Sequence, residues 1–222
     1  MIEVENLRKR FGRVNAVESV TFAARNGAIT TLLGGNGSGK TTTLRMIAGA
    51  LRPDVGRVRI DGTISVAQER TRALARLGVL HDEFGLYPRL TVREHVQFAA
   101  ELNGLSGGRL TKAVDAAIAQ LELNDIQGRR AAGMSHGQRM KVALARAIVH
   151  GPPNLILDEP TRGLDIFAVR TLRTNLKRLR DEGVLDPSTV LATESARPKM
   201  MPASQLQPIQ RPSRAPISVA AP

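Results

Sequence analysis

A chain of 222 residues has room for one sizeable α/β domain with its own core and a small appendage, and too little for two domains and a linker. Having no cysteine, it forms neither a disulfide framework nor a thiolate metal site, which fits a reducing compartment. The net charge of +12 invites an anionic partner, but a single tyrosine and no tryptophan leave little to stack on bases, so the charge reads as solvated, membrane-attracted surface and no nucleic acid is expected.

Residues 1–7 alternate apolar and polar side chains, and Val14 to Ala23 does so again after the basic turn Arg8-Lys9-Arg10-Phe11-Gly12-Arg13. Such a pattern predicts two half-buried antiparallel strands. Phe11 can be read in two ways, as a core-packing ring or as an exposed aromatic that stacks on a planar ligand. The apolar run Ile29 to Leu33 then leads into Gly34-Gly35-Asn36-Gly37-Ser38-Gly39-Lys40-Thr41, and Thr42 to Ala50 is helix-like. A Gly-rich loop between a strand and a helix lets successive backbone N–H groups form a concave nest, to which the helix dipole adds. With Gly34, Asn36, Gly37, Ser38, Gly39 and Thr42 in that cradle, Lys40 reaches the β- and γ-phosphates and Thr41 a Mg²⁺ ion. The plainer alternative is an ordinary Gly-rich turn, but the full G-x4-G-K-T spacing in this context favours binding of a nucleoside triphosphate.

Arg52 to Gly56 is turn chemistry, and Arg57 to Ile60 reads as a strand joining the N-terminal pair. Residues 68–76 are helix-compatible, Leu77 to Leu80 is a short buried strand, and His81 to Thr91 is a loop. From Val92 to Gln127 the apolar residues recur at spacings of three and four, with a loop over Asn103 to Gly108 dividing two helices. The Gly107-Gly108 pair reads as a cap and turn after the first of these helices. Ser135 is a candidate N-cap for a helix over Arg139 to His150, which makes that helix start a second anion-attracting terminus. Gly151-Pro152-Pro153 ends it, and Asn154 to Leu157 is an apolar strand finishing in Asp158 and Glu159. Paired acids at the end of a buried strand suit a metal site and an acceptor for a water proton, Asp158 in the first role and Glu159 in the second.

The ordered set of motifs resembles the ATP-binding subunit of ABC transporters over residues 1–195. Gly34 to Thr41 matches its Walker A motif, Leu155 to Asp158 its Walker B motif, Glu159 its catalytic glutamate and Gly163-Leu164-Asp165 its D-loop. Ser135-His136-Gly137-Gln138 with the following Val142 to Ala147 looks like its signature, and the rival Leu105-Ser106-Gly107-Gly108-Arg109 lies too far upstream of Walker B. The resemblance implies a P-loop NTPase α/β core with an antiparallel β subdomain and a helical subdomain at about 82–150. It implies ATP and Mg²⁺ as ligands, and Phe11 as the aromatic that stacks on adenine. Ser135, Gly137 and Gln138 would complete the ATP site of a second copy or a paired ABC subunit in a head-to-tail dimer. The stretch Gly85 to Glu94 resembles the segment that contacts the membrane permease, so the implied location is cytoplasmic, on the inner face of the membrane through that permease.

Two departures qualify the match. Asp82 stands where the family carries a glutamine, a change similar to the sodium-export, Nat-type branch, and its carboxylate can bind Mg²⁺ or a water. Glu194 and Ser195 stand where a switch histidine is expected, and all four histidines lie earlier. Residues 196–222 hold six prolines, four basic residues and no acid, so this tail is expected to be disordered, truncated or frame-shifted relative to the family, and to leave a sheet edge exposed. A basic Pro-rich docking tail is the competing reading. On function, ATP-driven transport stands against a non-hydrolysing regulatory subunit and a soluble non-transport ABC ATPase.

Overall fold

The computed structural model describes residues 1–162, 189–195 and 218–220, together with Val169, Arg170, Leu172, Thr174, Leu176 and Arg178. Two strands open the chain, β1 at Ile2–Phe11 and β2 at Val14–Ala24, paired antiparallel with Phe11 opposite Val14. The basic segment expected to be a turn therefore belongs mostly to β1, and the reversal itself is confined to Gly12 and Arg13. Ile2, Val4 and Leu7 all face the core, although strict alternation would turn Leu7 outward. A register shift between Val4 and Leu7, with Asn6 at φ 49°, inserts the extra residue that brings Leu7 back to the buried face.

After β3 at Ile29–Gly34 comes α1 at Lys40–Ile47, which starts two residues earlier than its apolar pattern suggests. Next are β4 at Val55–Ile60 and β5 at Ile64–Ser65, then the short α2 at Arg70–Leu74 and β6 at Leu77–Leu80. Three helices follow, α3 at Val92–Leu102, α4 at Gly107–Gln120 and α5 at His136–Ile148. Gly107 and Gly108 are thus the first residues of α4 rather than the end of α3. The remaining strands are β7 at Asn154–Leu157, β8 at Thr189–Ser195 and β9 at Ser218–Ala220.

One sheet is antiparallel, ordered β2-β1-β4-β5; the other runs β6-β7-β8-β3-β9 and is parallel from β6 to β3. Parallel strands covered on both faces need continuous apolar runs, and all four residues of β7 are buried. Leu155 and Leu157 face a core built with α3, α4 and α5, while Ile156 faces a second core with β1, β4 and α1. The parallel sheet is therefore the middle layer of the described fold. Its β3 edge differs from the expectation of an exposed edge, because Ser218–Ala220 pairs antiparallel with Thr31–Leu33. That short strand lies within the tail expected to be disordered, and the adjoining residues 196–217 lie outside the described residues, as does the Gly163-Leu164-Asp165 motif.

The loop between β6 and α3 is anchored by a buried histidine. His95 Nδ1 lies 2.8 Å from Thr91 O, which can only accept, so Nδ1 carries the proton and Nε2 accepts the Tyr87 N–H at 2.9 Å. Burial pushes the His95 pKa below its ordinary value; the bond to Thr91 and the charge of Glu94 oppose this, and Arg146 reinforces it. The native state therefore favours the neutral ring.

Two predictions test this packing. A Cβ on Gly78 in β6 would stand 2.3 Å from the Ala147 carbonyl of α5, whereas one on Gly108 meets nothing within 4 Å. Gly78→Ala should cost about 1–3 kcal/mol by urea unfolding, and Gly108→Ala should be neutral or stabilise by up to about 1 kcal/mol. For His95, a depressed native pKa means that its contribution is complete above about pH 6.5 and is lost as the pH falls through the native value. The melting temperature should fall between about pH 7.5 and pH 5.5, and His95→Gln should flatten that slope; equal slopes would rule out the role assigned to the neutral ring.

Candidate active site

The site is assembled where β3 and β7 end side by side with β8 between them. At the end of β3 the chain turns through Gly35 to Gly39, with Ser38 N–H donating to Gly35 O at 3.2 Å. Gly39 sits at φ 96°, and a Cβ there would stand 2.3 Å from the Ala16 carbonyl of β2, so only glycine lets the loop close against the antiparallel sheet. Helix α1 then begins with no side-chain cap and no acid in its first turn, which leaves its N-terminal N–H groups to an anion.

Lys40, the first residue of α1, is only 4% exposed. Its ammonium folds back to donate to Gly34 O at 2.9 Å and Gly35 O at 3.1 Å, and stands 3.8 Å from Glu159 Oε1. Ser38 Oγ is buried without a hydrogen-bond partner. A buried hydroxyl left unsatisfied costs about 1–3 kcal/mol, so its presence inside the loop fits an oxygen-rich ligand better than an empty turn.

Thr41 Oγ1 lies 3.3 Å from Asp158 Oδ1, which brings together the two oxygen ligands expected for Mg²⁺. The same Asp158 oxygen accepts the Thr193 hydroxyl at 2.8 Å, and Thr193 Oγ1 accepts the Glu159 N–H at 2.9 Å. Thr193 was not singled out from the sequence, though a hydroxyl closing the apolar run of β8 was the available signal. Glu159 holds a left-handed backbone at φ 46°, a strained conformation for a residue with a side chain and one that clusters at functional sites.

A cavity of about 590 Å³ is lined by Phe11, Asn36, Gly37, Gly39, Lys40, Thr41, Thr42 and Glu159, joined by Val14, Ala16 and Arg162. Phe11 is 50% exposed at its mouth, with Lys9 Nζ 5.6 Å from the ring centroid. The fold thus leaves this ring available for stacking and does not spend it on the core. In register, Leu33 pairs with Glu194 and Gly34 with Ser195, so the residues standing where a histidine was expected adjoin the start of the loop.

Other expected site residues lie elsewhere. Ser135 and Gln138 form a reciprocal cap on α5, Gln138 N–H to Ser135 Oγ at 3.2 Å and Ser135 N–H to Gln138 Oε1 at 3.1 Å. With Gly137 they sit in the helical layer and do not line the Lys40 cavity within this chain. Asp82 lines a neighbouring cavity of about 470 Å³ with Phe84, His136 and Arg139, and pairs with Arg162 at 3.7 Å. The structure places Asp82 against the Arg162 cation, and it is not among the residues that line the Lys40 cavity. Among the described residues there is no cluster of three or more His, Asp or Glu able to hold a metal unaided, so Mg²⁺ here would share Thr41, Asp158 and the nucleotide's own oxygens.

This geometry has counterparts in known proteins. The family profile described as ABC transporter matches residues 17–162. The ABC transporter ATP-binding protein NatA of Bacillus subtilis is 37% identical over 187 residues, covering 82% of this chain and 76% of that protein. The sulfate/thiosulfate import ATP-binding protein CysA of Thermosynechococcus vestitus is 35% identical over 208 residues, 92% of this chain but 60% of its own length. Among solved structures, a dimeric post-hydrolysis state of the ATP-binding cassette MJ0796 bound to ADP and Pi superposes with a TM-score of 0.76 at 28% identity, over 87% of this chain and 88% of that one. The cbiO1 protein of Clostridium perfringens, part of the ABC transporter complex cbiONQ, gives 0.75 at 27% identity, over 86% and 77%. A loop that buries its lysine, a hydroxyl and carboxylate facing it from the next strands, and a match over most of the chain converge on one assignment: this protein belongs to the ABC transporter family, as an ATP-binding domain.

Proposed function

We propose that the chain binds Mg-ATP, hydrolyses it and, paired with a second copy or another ABC subunit, powers transport through a separate membrane permease. The observation that carries this reading is the buried Lys40 ammonium, 3.8 Å from Glu159, at the uncapped helix start that lines the cavity. Lys40 and the N–H groups of residues 36–42 hold the phosphates, and Phe11 stacks on the base. Thr41 and Asp158 hold Mg²⁺, which neutralises the phosphate oxygens when bound. Glu159 accepts a proton as water attacks the γ-phosphorus in line, and the bond to the bridging oxygen breaks to release ADP.

Pairing is supported by the likeness to a cassette solved as a dimer. In such a pair the capped start of α5, with Ser135, Gly137 and Gln138, faces the partner's phosphates. The exposed aromatics Tyr87, within the 85–94 stretch and stacked on His95, and Phe98, edge-on to Tyr87, suit the permease contact. A sodium-export role is supported by the Nat-type resemblance at Asp82, which pairs with Arg162 at the edge of the nucleotide cavity, and the likeness to the ABC transporter ATP-binding protein NatA is in keeping with it. In this reading the protein lies on the cytoplasmic face of its membrane. A second reading, a subunit that binds but hardly hydrolyses ATP, is favoured by Glu194 and Ser195 at the histidine position. Losing one donor that acts only in the transition state lowers turnover about a hundred- to thousandfold.

Two variants separate these readings. Lys40→Ala should abolish Mg-ATP binding by titration calorimetry, because it removes the point charge on the β- and γ-phosphates; equal affinity would overturn the site. Glu159→Gln should keep affinity within about threefold, remove turnover and accumulate an ATP-bound dimer by light scattering, since it deletes the proton acceptor and leaves the metal ligands. A variant that remains monomeric at saturating ATP would argue against pairing.

A further inference from the structure

Arg162 has no part in the chemistry above, yet three segments meet at it. Its Nη1 lies 3.7 Å from Asp82 Oδ2 and its Nε 3.9 Å from Glu159 Oε2. Its own carbonyl is 3.0 Å from His136 Nε2; a carbonyl can only accept, so that nitrogen carries the proton. His136 opens α5 and packs against the Phe84 ring at 5.0 Å, in the same loop as Asp82. Asp82 and Glu159 both follow the ends of adjacent parallel strands, β6 and β7, so their like charges come off one sheet end with Arg162 between them. Arg162 also lines the 590 Å³ cavity, while Asp82 and His136 line the 470 Å³ one, which makes this residue part of the wall dividing the two.

We propose that Arg162 is a positioning residue: Asp82 anchors its guanidinium so that it orients Glu159, and its carbonyl ties the Glu159 turn to the start of α5. The two carboxylate oxygens of Glu159 face different cations, Oε1 towards Lys40 and Oε2 towards Arg162. A phosphate that occupies Lys40 weakens its hold on Oε1 and leaves Arg162, beside Oε2, among the groups that aim the carboxylate. The Arg162 side chain is 69% exposed and both pairs are long, so each alone is worth little. One side chain serves both, and replacing either end should loosen the same unit.

The kinetic half of this inference rests on the ATP-hydrolysis reading; the structural half does not. The test uses the full chain with Arg162→Ala, Arg162→Lys, Asp82→Asn and the Arg162→Ala/Asp82→Asn pair, with circular dichroism confirming that each variant folds. Without nucleotide, amide hydrogen exchange over residues 82–86 and 135–138 should quicken about two- to fivefold in Arg162→Ala and in Asp82→Asn, and no further in the double variant. Arg162→Lys should recover most of the protection. With ATP, Arg162→Ala should lower kcat about tenfold with KM within about twofold, the split expected when a proton acceptor is misaimed but binding is intact. Exchange unchanged in Arg162→Ala, or effects that add in the double variant, would overturn the tie. Quickened exchange with kcat unchanged in an active wild type would overturn the positioning of Glu159. A wild-type chain that neither binds nor hydrolyses ATP would remove the functional reading alone, and the nucleotide-free exchange would still decide the tie.

Discussion

An ammonium held almost entirely out of water among backbone carbonyls is the constraint around which this molecule is built. Lys40 can sit there only because the Gly34–Gly39 loop curls its carbonyls inward and because Glu159 supplies a counter-charge across the cavity. The carboxylate alone, at 3.8 Å and without a direct hydrogen bond, is modest compensation. The buried Ser38 hydroxyl and the uncapped start of α1 add donors without acceptors on the same side. Donor groups in excess on one wall are what an anionic ligand completes, so the local energetics and the proposed chemistry have one cause.

The acceptor side is set by register. Asp158 and Glu159 emerge from β7, and a hydroxyl from the neighbouring strand adds to the backbone bonds that hold them, Asp158 N–H to Leu80 O and Arg162 N–H to Glu159 O, each 2.9 Å. Thr193 donates to Asp158 and accepts from the Glu159 N–H, with Leu157 paired to Ala192 immediately before it. A slip of one residue between β7 and β8 would turn Thr193 to the opposite face and release both acids. The apolar pairs behind it, Leu155 with Val190 and Ile156 with Leu191, are what make that slip costly. Packing of the middle layer therefore determines the aim of the reacting groups.

Helices on one side of that layer and an antiparallel sheet on the other give the two halves separate cores. Each half contributes one edge of the nucleotide cavity: Phe11, Val14 and Ala16 from the hairpin, Glu159 and Arg162 from the far end of the sheet. Among the described residues, the helical layer and the loop before it reach the site through polar contacts, Asp82 to Arg162 and His136 to the Arg162 carbonyl. Large apolar interfaces hold each layer together, whereas the polar links between layer and site are partly exposed and individually weak.

Several local patterns in the sequence determined the outcome by themselves, although the basic stretch at Arg8 to Phe11 and the Gly107-Gly108 pair, read locally as a turn and a cap, became strand and helix start. The loop spacing from Gly34 to Thr41, the buried runs Leu77 to Leu80 and Asn154 to Leu157, and the Ser135 cap each depend on neighbours within a few residues, and each stands where its pattern put it. Phe11 was ambiguous because an aromatic beside a turn carries no mark of which face it will take; only pairing of β1 with β2 and β4 left it at the cavity mouth. The bulge at Asn6, the role of Thr193, the placement of Asp82 against Arg162 and the strand at Ser218–Ala220 on β3 were decided by tertiary structure alone. Each is a contact across 30 or more residues, or a break in periodicity, and the register that sets such contacts is fixed by burial of whole sheet faces rather than by any residue's own preference.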